Sequence, residues 1–239
     1  MEINRQLIEF ENSFTLESGK ILSGFELMVD TYGELNSDAS NAILVCHAFS
    51  GNHHAAGKHE TDATEGWWDQ MIGPGKAIDT NKYFIVCPNN LGGCAGSTGP
   101  TSINPASKEP YGGDFPVVSV SDWVNSQKLL MEHLGITKWE VVIGGSLGGM
   151  QALEWSLSYP HLVKKAGVIA AAAKASTQNI GMNEVAREAI RKDENFHDGN
   201  YLAMRTKPKR GLKTARMLGH ITYLSEAHMN LRFGRKVQN

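Results

Sequence analysis

Val141-Val142-Ile143-Gly144-Gly145-Ser146-Leu147-Gly148-Gly149-Met150 joins an apolar, β-branched run to a helical one through glycines set around a serine. The run from Trp139 to Ile143 is short, apolar and β-branched, as a strand buried on both faces should be. From Leu147 to Tyr159 apolar residues recur at helical spacing until Pro160 stops them. Between strand and helix sits Gly-x-Ser-x-Gly, and that context is what the motif needs. A nucleophilic serine must be held exposed on a sharp, strained turn, and the flanking glycines remove the Cβ atoms that would strike neighbouring strand and helix. The helix starting at Leu147 points unpaired backbone N–H groups at a developing oxyanion. Ser146 is therefore the candidate nucleophile; the competing reading is a glycine-rich turn without chemistry.

Working outward, Ala42 to Cys46 and Tyr83 to Cys87 read as further buried strands, and Val163 to Ala173 as the next. Val120 to Leu134 reads as a helix ended by Gly135. Residues 176 to about 193 and 210 to 228 also read as helices, separated by His197-Asp198-Gly199-Asn200. Arg5 to about Leu35 holds two extended runs around the turn cluster Glu17-Ser18-Gly19-Lys20, an antiparallel hairpin at the sheet edge. The pattern predicts an α/β fold with a mostly parallel sheet and helices on both faces, a core over 1–175 and a helical segment over 176–239. The glycine-rich stretch Asn90 to Pro100 follows a strand directly, where functional loops of open α/β sheets lie.

The chain has 239 residues, 41% hydrophobic and 20% charged, enough for one globular domain with a full core and unlike a disordered or collagenous chain. Its 23 basic and 25 acidic side chains give a formal charge of −2, which favours neither nucleic acid nor an anionic membrane as partner. Residues 187–239 hold 12 basic and 5 acidic side chains, read as a basic solvated helical surface that compensates an acidic core. Cys46, Cys87 and Cys94 are odd in number and lack CxxC spacing; the first two sit in apolar runs where a thiol acts as a small hydrophobe. The N-terminus starts no signal pattern and no apolar run approaches a membrane span, so a cytoplasmic location is expected.

His47-Ala48-Phe49-Ser50-Gly51 follows the strand ending at Cys46. In α/β-hydrolases this loop supplies one oxyanion N–H and the residue after the serine supplies the other, here Phe49 and Leu147. His47 is read as a buttress of the loop rather than a general base. His53, His54 and His59, with Glu60 and Asp62, match no zinc spacing and are read as a polar loop, with no metal expected.

Several segments together resemble one family: 41–48 with the sequence NAILVCHA, Gly66-Trp67-Trp68-Asp69, Asn90-Leu91-Gly92-Gly93-Cys94, Gly96-Ser97-Thr98-Gly99-Pro100, 144–152 with GGSLGGMQA, and Gly219-His220-Ile221-Thr222-Tyr223. The combination resembles the homoserine O-acyltransferases of methionine biosynthesis. That resemblance implies an α/β-hydrolase fold with a helical lid insertion. It implies a serine, here Ser146, that takes an acyl group from acyl-CoA and passes it to the hydroxyl of L-homoserine. It also implies an arginine for the homoserine carboxylate, here Arg216, no cofactor beyond the acyl-CoA co-substrate, and a homodimer. A guanidinium offers a carboxylate a planar two-pronged donor. The loop Gly51 to Gly57 is more similar to members that use succinyl than to those that use acetyl. A carboxylester hydrolase on the same scaffold is the competing activity.

In the family the triad acid and histidine follow the nucleophile on loops after two later strands. After Ser146 the histidines are His161, His197, His220 and His228, none in the family's Gly-His-Asp context. The triad Asp and His and the last strands of the fold are therefore expected to be absent from this chain, which reads as an N-terminal portion of such an enzyme. A chain lacking them is expected to be catalytically incompetent, with the strand near Val163 to Ala173 left as an uncovered edge.

Overall fold

The computed structural model describes residues 1–60 and 62–234. Among them are two compact units: Met1–Tyr111 with Phe115–Ala173, and Gly112–Asp114 with residues 174–234. Residues 235–239 of the expected helical segment lie outside the described residues.

The first unit contains all ten strands found among the described residues: β1 (Ile3–Phe10), β2 (Phe14–Thr15), β3 (Ile21–Leu22), β4 (Phe25–Tyr32), β5 (Ala42–Cys46), β6 (Ile72–Gly73), β7 (Ile78–Asp79), β8 (Phe84–Pro88), β9 (Val141–Gly145) and β10 (Ala166–Ile169). Six of them form one sheet in the order β1-β4-β8-β5-β9-β10. The expected edge hairpin is β1 and β4, paired antiparallel from Ile3↔Tyr32 to Phe10↔Phe25, with the short β2–β3 ladder in its turn. From β8 onward the neighbours run parallel, with Cys46 opposite Gly144 and Ile169 opposite Gly145. Strands β5 and β8 are almost wholly buried, which is why their sequences are uninterrupted apolar runs.

Alternation sorts each strand onto two faces. Ala42, Leu44, Cys46, Val86 and Val142 share a core with Val124, Leu130 and Met131 of α1 (Val120–His133) and Ala152 and Trp155 of α2 (Leu147–Ser158). Ile43, Val45, Ile85 and Cys87 face the other way, onto Ala55, Ala56, Ile72 and Ile78. Helices on both faces are the expectation from the sequence; in this unit both described helices lie on one face, and an irregular segment with β6 and β7 covers the other. Small side chains allow it: a Cβ on Gly66 would fall 2.1 Å from the Ala56 nitrogen, so backbone packs directly on backbone. Ser119 caps α1 in a reciprocal capping box with Asp122. At the β10 edge Val168 and Ile169 are 40% and 44% exposed.

The second unit is helical: α3 (Thr177–Arg191), α4 (Lys209–Tyr223) and α5 (Glu226–Phe233). The helix expected over 210–228 stops at Tyr223. Leu224 is extended and the Ser225 hydroxyl accepts from the His228 N–H, which caps a new helix. Asp193 accepts from the N–H of Gly211 at 2.8 Å and ties the start of α4 to the end of α3.

Candidate active site

Ser146 occupies the turn between β9 and α2 with φ 54° and ψ −119°, a strained backbone for a residue with a Cβ. Packing enforces it. A Cβ on Gly148 would lie 2.0 Å from the Cys46 carbonyl oxygen, and one on Gly144 would lie 2.4 Å from the Gly148 carbonyl carbon. Gly145, between them, would meet nothing. The two glycines of Gly-x-Ser-x-Gly thus let β5, β9 and α2 touch through their backbones, and the Ser146 N–H is held by Ile169 O at 2.9 Å. The Ser146 side chain is exposed and makes no capping bond to α2, so it does not occupy the first-turn N–H groups, that of Leu147 among them.

Beside this turn runs the loop after β5. Gly51 N–H bonds Ala48 O at 2.9 Å and closes a turn that presents Phe49, whose residue is 81% exposed. His47 is buried, with Nδ1 2.7 Å from Ala48 O and Nε2 accepting from the Asn90 N–H at 3.0 Å. A carbonyl only accepts and an amide N–H only donates, so the ring is fixed as the Nδ1–H tautomer with both nitrogens used. Burial also pushes its pKa down. His47 therefore buttresses the loop and offers no free nitrogen to a nucleophile.

The glycine-rich stretch after β8 supports the site from behind. Gly92 N–H bonds Thr98 O, Thr98 pairs by backbone and hydroxyl with Glu26, and Ser97 Oγ accepts from Met28 N–H. Residues 89–98 thus extend the edge of β4 and deliver the Asn90 N–H to His47. This is a buttress, where the sequence pattern alone pointed to a functional loop.

Sequence reading missed the buried amides below the turn. Gln151 donates from Nε2 to the carbonyls of His47 at 3.4 Å and Leu147 at 3.5 Å, so one side chain bridges the two candidate oxyanion segments. Its Oε1 accepts from Gln127 Nε2 at 2.6 Å, and Gln127 Oε1 accepts from Trp155 Nε1. Glutamine on the apolar face of a helix, one turn past the serine, was the signal.

The structure thus brings Ser146, Leu147 and the Phe49 loop together. Arg216 lies in the second unit, exposed on α4 and without an ion-pair partner among the described residues. His53, His54 and Asp62 do not gather around an open centre. His54 lies 3.3 Å from Asp30 and 3.2 Å from Asp62, while Arg5 spans the same two carboxylates. No group of three or more metal-binding side chains occurs among the described residues. Cys46 and Cys87 are buried thiols with pKa values pushed up by desolvation, and Cys94 is an exposed one.

A mostly parallel sheet with a serine on a strained strand-to-helix turn defines an α/β-hydrolase. The sequence pattern of the alpha/beta hydrolase fold matches residues 41–239, and the chain belongs to that family. It is 59% identical over 237 residues to the homoserine O-succinyltransferase of Hahella chejuensis, covering 99% of this chain and 62% of that protein. Among solved structures it is similar to a homoserine O-acetyltransferase from Bacillus anthracis, 34% identical with TM-score 0.92, covering 100% of this chain and 65% of that one. It is also similar to esterase E22, 36% identical with TM-score 0.89, covering 100% and 67%. The chain spans less than two thirds of the length of the curated relatives it matches.

Proposed function

We propose that the protein transfers an acyl group from acyl-CoA to the side-chain hydroxyl of L-homoserine, a step of methionine biosynthesis, with Ser146 carrying the group between the two half-reactions. The succinyl donor is favoured, because the curated relatives over half identical are named homoserine O-succinyltransferase. The likeness to those relatives over 99% of the chain, with a serine on the turn this chemistry needs, supports the reading most.

In the first half Ser146 Oγ attacks the thioester carbonyl and passes its proton to a base. The carbonyl oxygen becomes an oxyanion facing the N–H groups of Phe49 and Leu147. Collapse breaks the C–S bond, and CoA leaves as the thiol with that proton. In the second half the homoserine hydroxyl attacks the acyl-serine carbonyl, its proton goes to the same base, and Ser146 is restored as O-acylhomoserine departs. Each oxyanion donor is worth about 3–4 kcal/mol in such sites. The base belongs to the proposal and not to the described geometry. None of His161, His197, His220 and His228 is hydrogen-bonded to Ser146 Oγ or to a carboxylate among the described residues.

Arg216 is assigned the homoserine carboxylate. Arg216→Ala should slow the second half-reaction and leave acylation of Ser146 intact, with Lys restoring only part, because a point charge lacks the two-pronged geometry. The working state is assigned as a cytoplasmic homodimer that uses acyl-CoA as co-substrate and no other cofactor. No helix among the described residues is long and apolar enough to cross a membrane. A carboxylester hydrolase is the second reading, favoured by the likeness to esterase E22. Incubating the full-length gene product with succinyl-CoA or acetyl-CoA, with and without homoserine, separates them. A transferase makes O-acylhomoserine; release of free acid at the same rate in both cases establishes the hydrolase.

A further inference from the structure

Behind the Phe49 loop lies a buried polar cluster that the proposed mechanism does not use. Asp30 and Tyr32 of β4 are 0% and 1% exposed. The Tyr32 hydroxyl accepts two backbone N–H groups, from Ala55 at 2.9 Å and Ala56 at 3.1 Å, and donates to Asp30 Oδ2 at 3.4 Å. Asp30 is held by the Arg5 guanidinium through two bonds of 2.7 and 2.8 Å and faces His54 Nδ1 at 3.3 Å. Burial, with the Asp30 carboxylate close by, pushes the phenol pKa far up, so it stays a donor.

A phenol that takes two successive backbone N–H groups fixes the chain at that point. The same segment is held at Asn52, whose carbonyl accepts from Trp67 Nε1 at 2.9 Å and whose side chain accepts from the His54 N–H at 2.9 Å. On the near side His47 is locked between Ala48 and Asn90. Residues 48–51, with Phe49 among them, are therefore suspended between two clamps, one at His47 and one at Tyr32.

We propose that Tyr32, seated by Asp30, is a positioning residue that sets where the Phe49 N–H points, and so sets the rate of Ser146 acylation without touching substrate. The proposal rests on the reading of Ser146 as nucleophile and Phe49 as oxyanion donor. A displacement of about 1 Å in such a donor is worth up to about a hundredfold in rate. A purely structural tyrosine would lower stability and leave the rate of the folded enzyme alone.

The test compares Tyr32→Phe with Tyr159→Phe in the full-length gene product. Tyr159 also donates from a partly buried hydroxyl, to Asn125 at 2.7 Å, but at the far end of α2. Ser146 acylation is followed with a small activated aryl ester, alongside thermal unfolding. Tyr32→Phe should lower the maximal acylation rate about tenfold or more at unchanged KM, with Asp30→Asn following it, while Tyr159→Phe lowers the melting temperature by a similar amount and keeps the wild-type rate. Equal rates for the two tyrosine variants would overturn the proposal even if Asp30→Asn fails to fold. If Ser146→Ala reacts as fast as wild type, the nucleophile reading itself fails and takes this inference with it.

Discussion

The two units use their apolar and backbone groups in opposite ways. The first unit is over-determined: backbone presses on backbone at Gly144, Gly148 and Gly66, and Gln151, His47 and Tyr32 each hold more than one main-chain group. In the helical unit Ile180, Val185, Met217, Ile221 and Leu231 are more than half exposed, and of its helical residues only Gly211 is buried. The first arrangement stores strain at Ser146 and surrounds it with contacts that keep it there. The second leaves several apolar side chains of its helices more than half exposed among the described residues. The strained Ser146 turn lies in the first unit, and Arg216, proposed for the homoserine carboxylate, lies in the second.

The largest expected effect sharpens the first half of that contrast. Ser146→Ala should remove acyl-enzyme formation and cost more than about 10³-fold in turnover of the full-length gene product, read in single-turnover assays. Wild-type turnover would break the assignment.

Glycine substitutions come next. Gly148→Ala places a methyl 2.0 Å from a backbone oxygen that cannot give way, and should cost at least about 3 kcal/mol in thermal or denaturant unfolding. Gly145→Ala, in open space on the same turn, should stay within about 1 kcal/mol. Equal losses at the two positions would show that backbone contact is not what holds the turn.

Acid should weaken the first unit through His53. Desolvation holds its pKa at about 4, against an ordinary 6.5, and its Nδ1 is buried without a partner. Between those values the unfolded chain binds the proton and the folded one does not. Stability present above pH 6.5 is therefore lost as pH falls toward 4, by roughly 3 kcal/mol, and levels off below. Asp62, held at about 2 by its Arg5 hydrogen bond, acts in a separate window: its contribution is whole above 3.8 and drains as pH falls through 2. His47, whose pKa burial also lowers, acts in the same direction, so unfolding titrations of His53→Gln should show a shallower upper slope, and an unchanged slope would assign it elsewhere.

The smallest effect probes the second unit. Leu44→Ala, at a fully buried site on β5, should cost about 2–5 kcal/mol, whereas Ile221→Ala on exposed α4 should stay within about 0.5 kcal/mol in a monomeric sample. A large loss at Ile221 would show that α4 is covered after all.

The same contrast explains what the sequence disclosed. Ala42–Cys46, the β1–β4 hairpin and the turn at Ser146 were readable because alternation, apolar runs and paired glycines are local signals of strand burial and backbone contact. His47 was legible as a buttress, but its partner Asn90 was not, because 43 residues separate them and only the β5–β8 pairing joins them. The Asp30–Arg5–His54–Asp62 cluster was half seen as histidines in a polar loop. Its anchors lie on β1 and β4, and no spacing announces them. The break at Leu224 escaped because apolar spacing continues through it and only the Ser225 cap ends the helix.

Whether Ser146 carries the acyl group between CoA and homoserine can be read from intact-mass and peptide mass spectrometry of the full-length gene product mixed with succinyl-CoA. The peptide that contains Ser146 should gain one acyl group and lose it on adding homoserine, with stoichiometric O-acylhomoserine formed. An acyl group on another residue, or a Ser146 adduct that homoserine leaves untouched while water removes it, would contradict it.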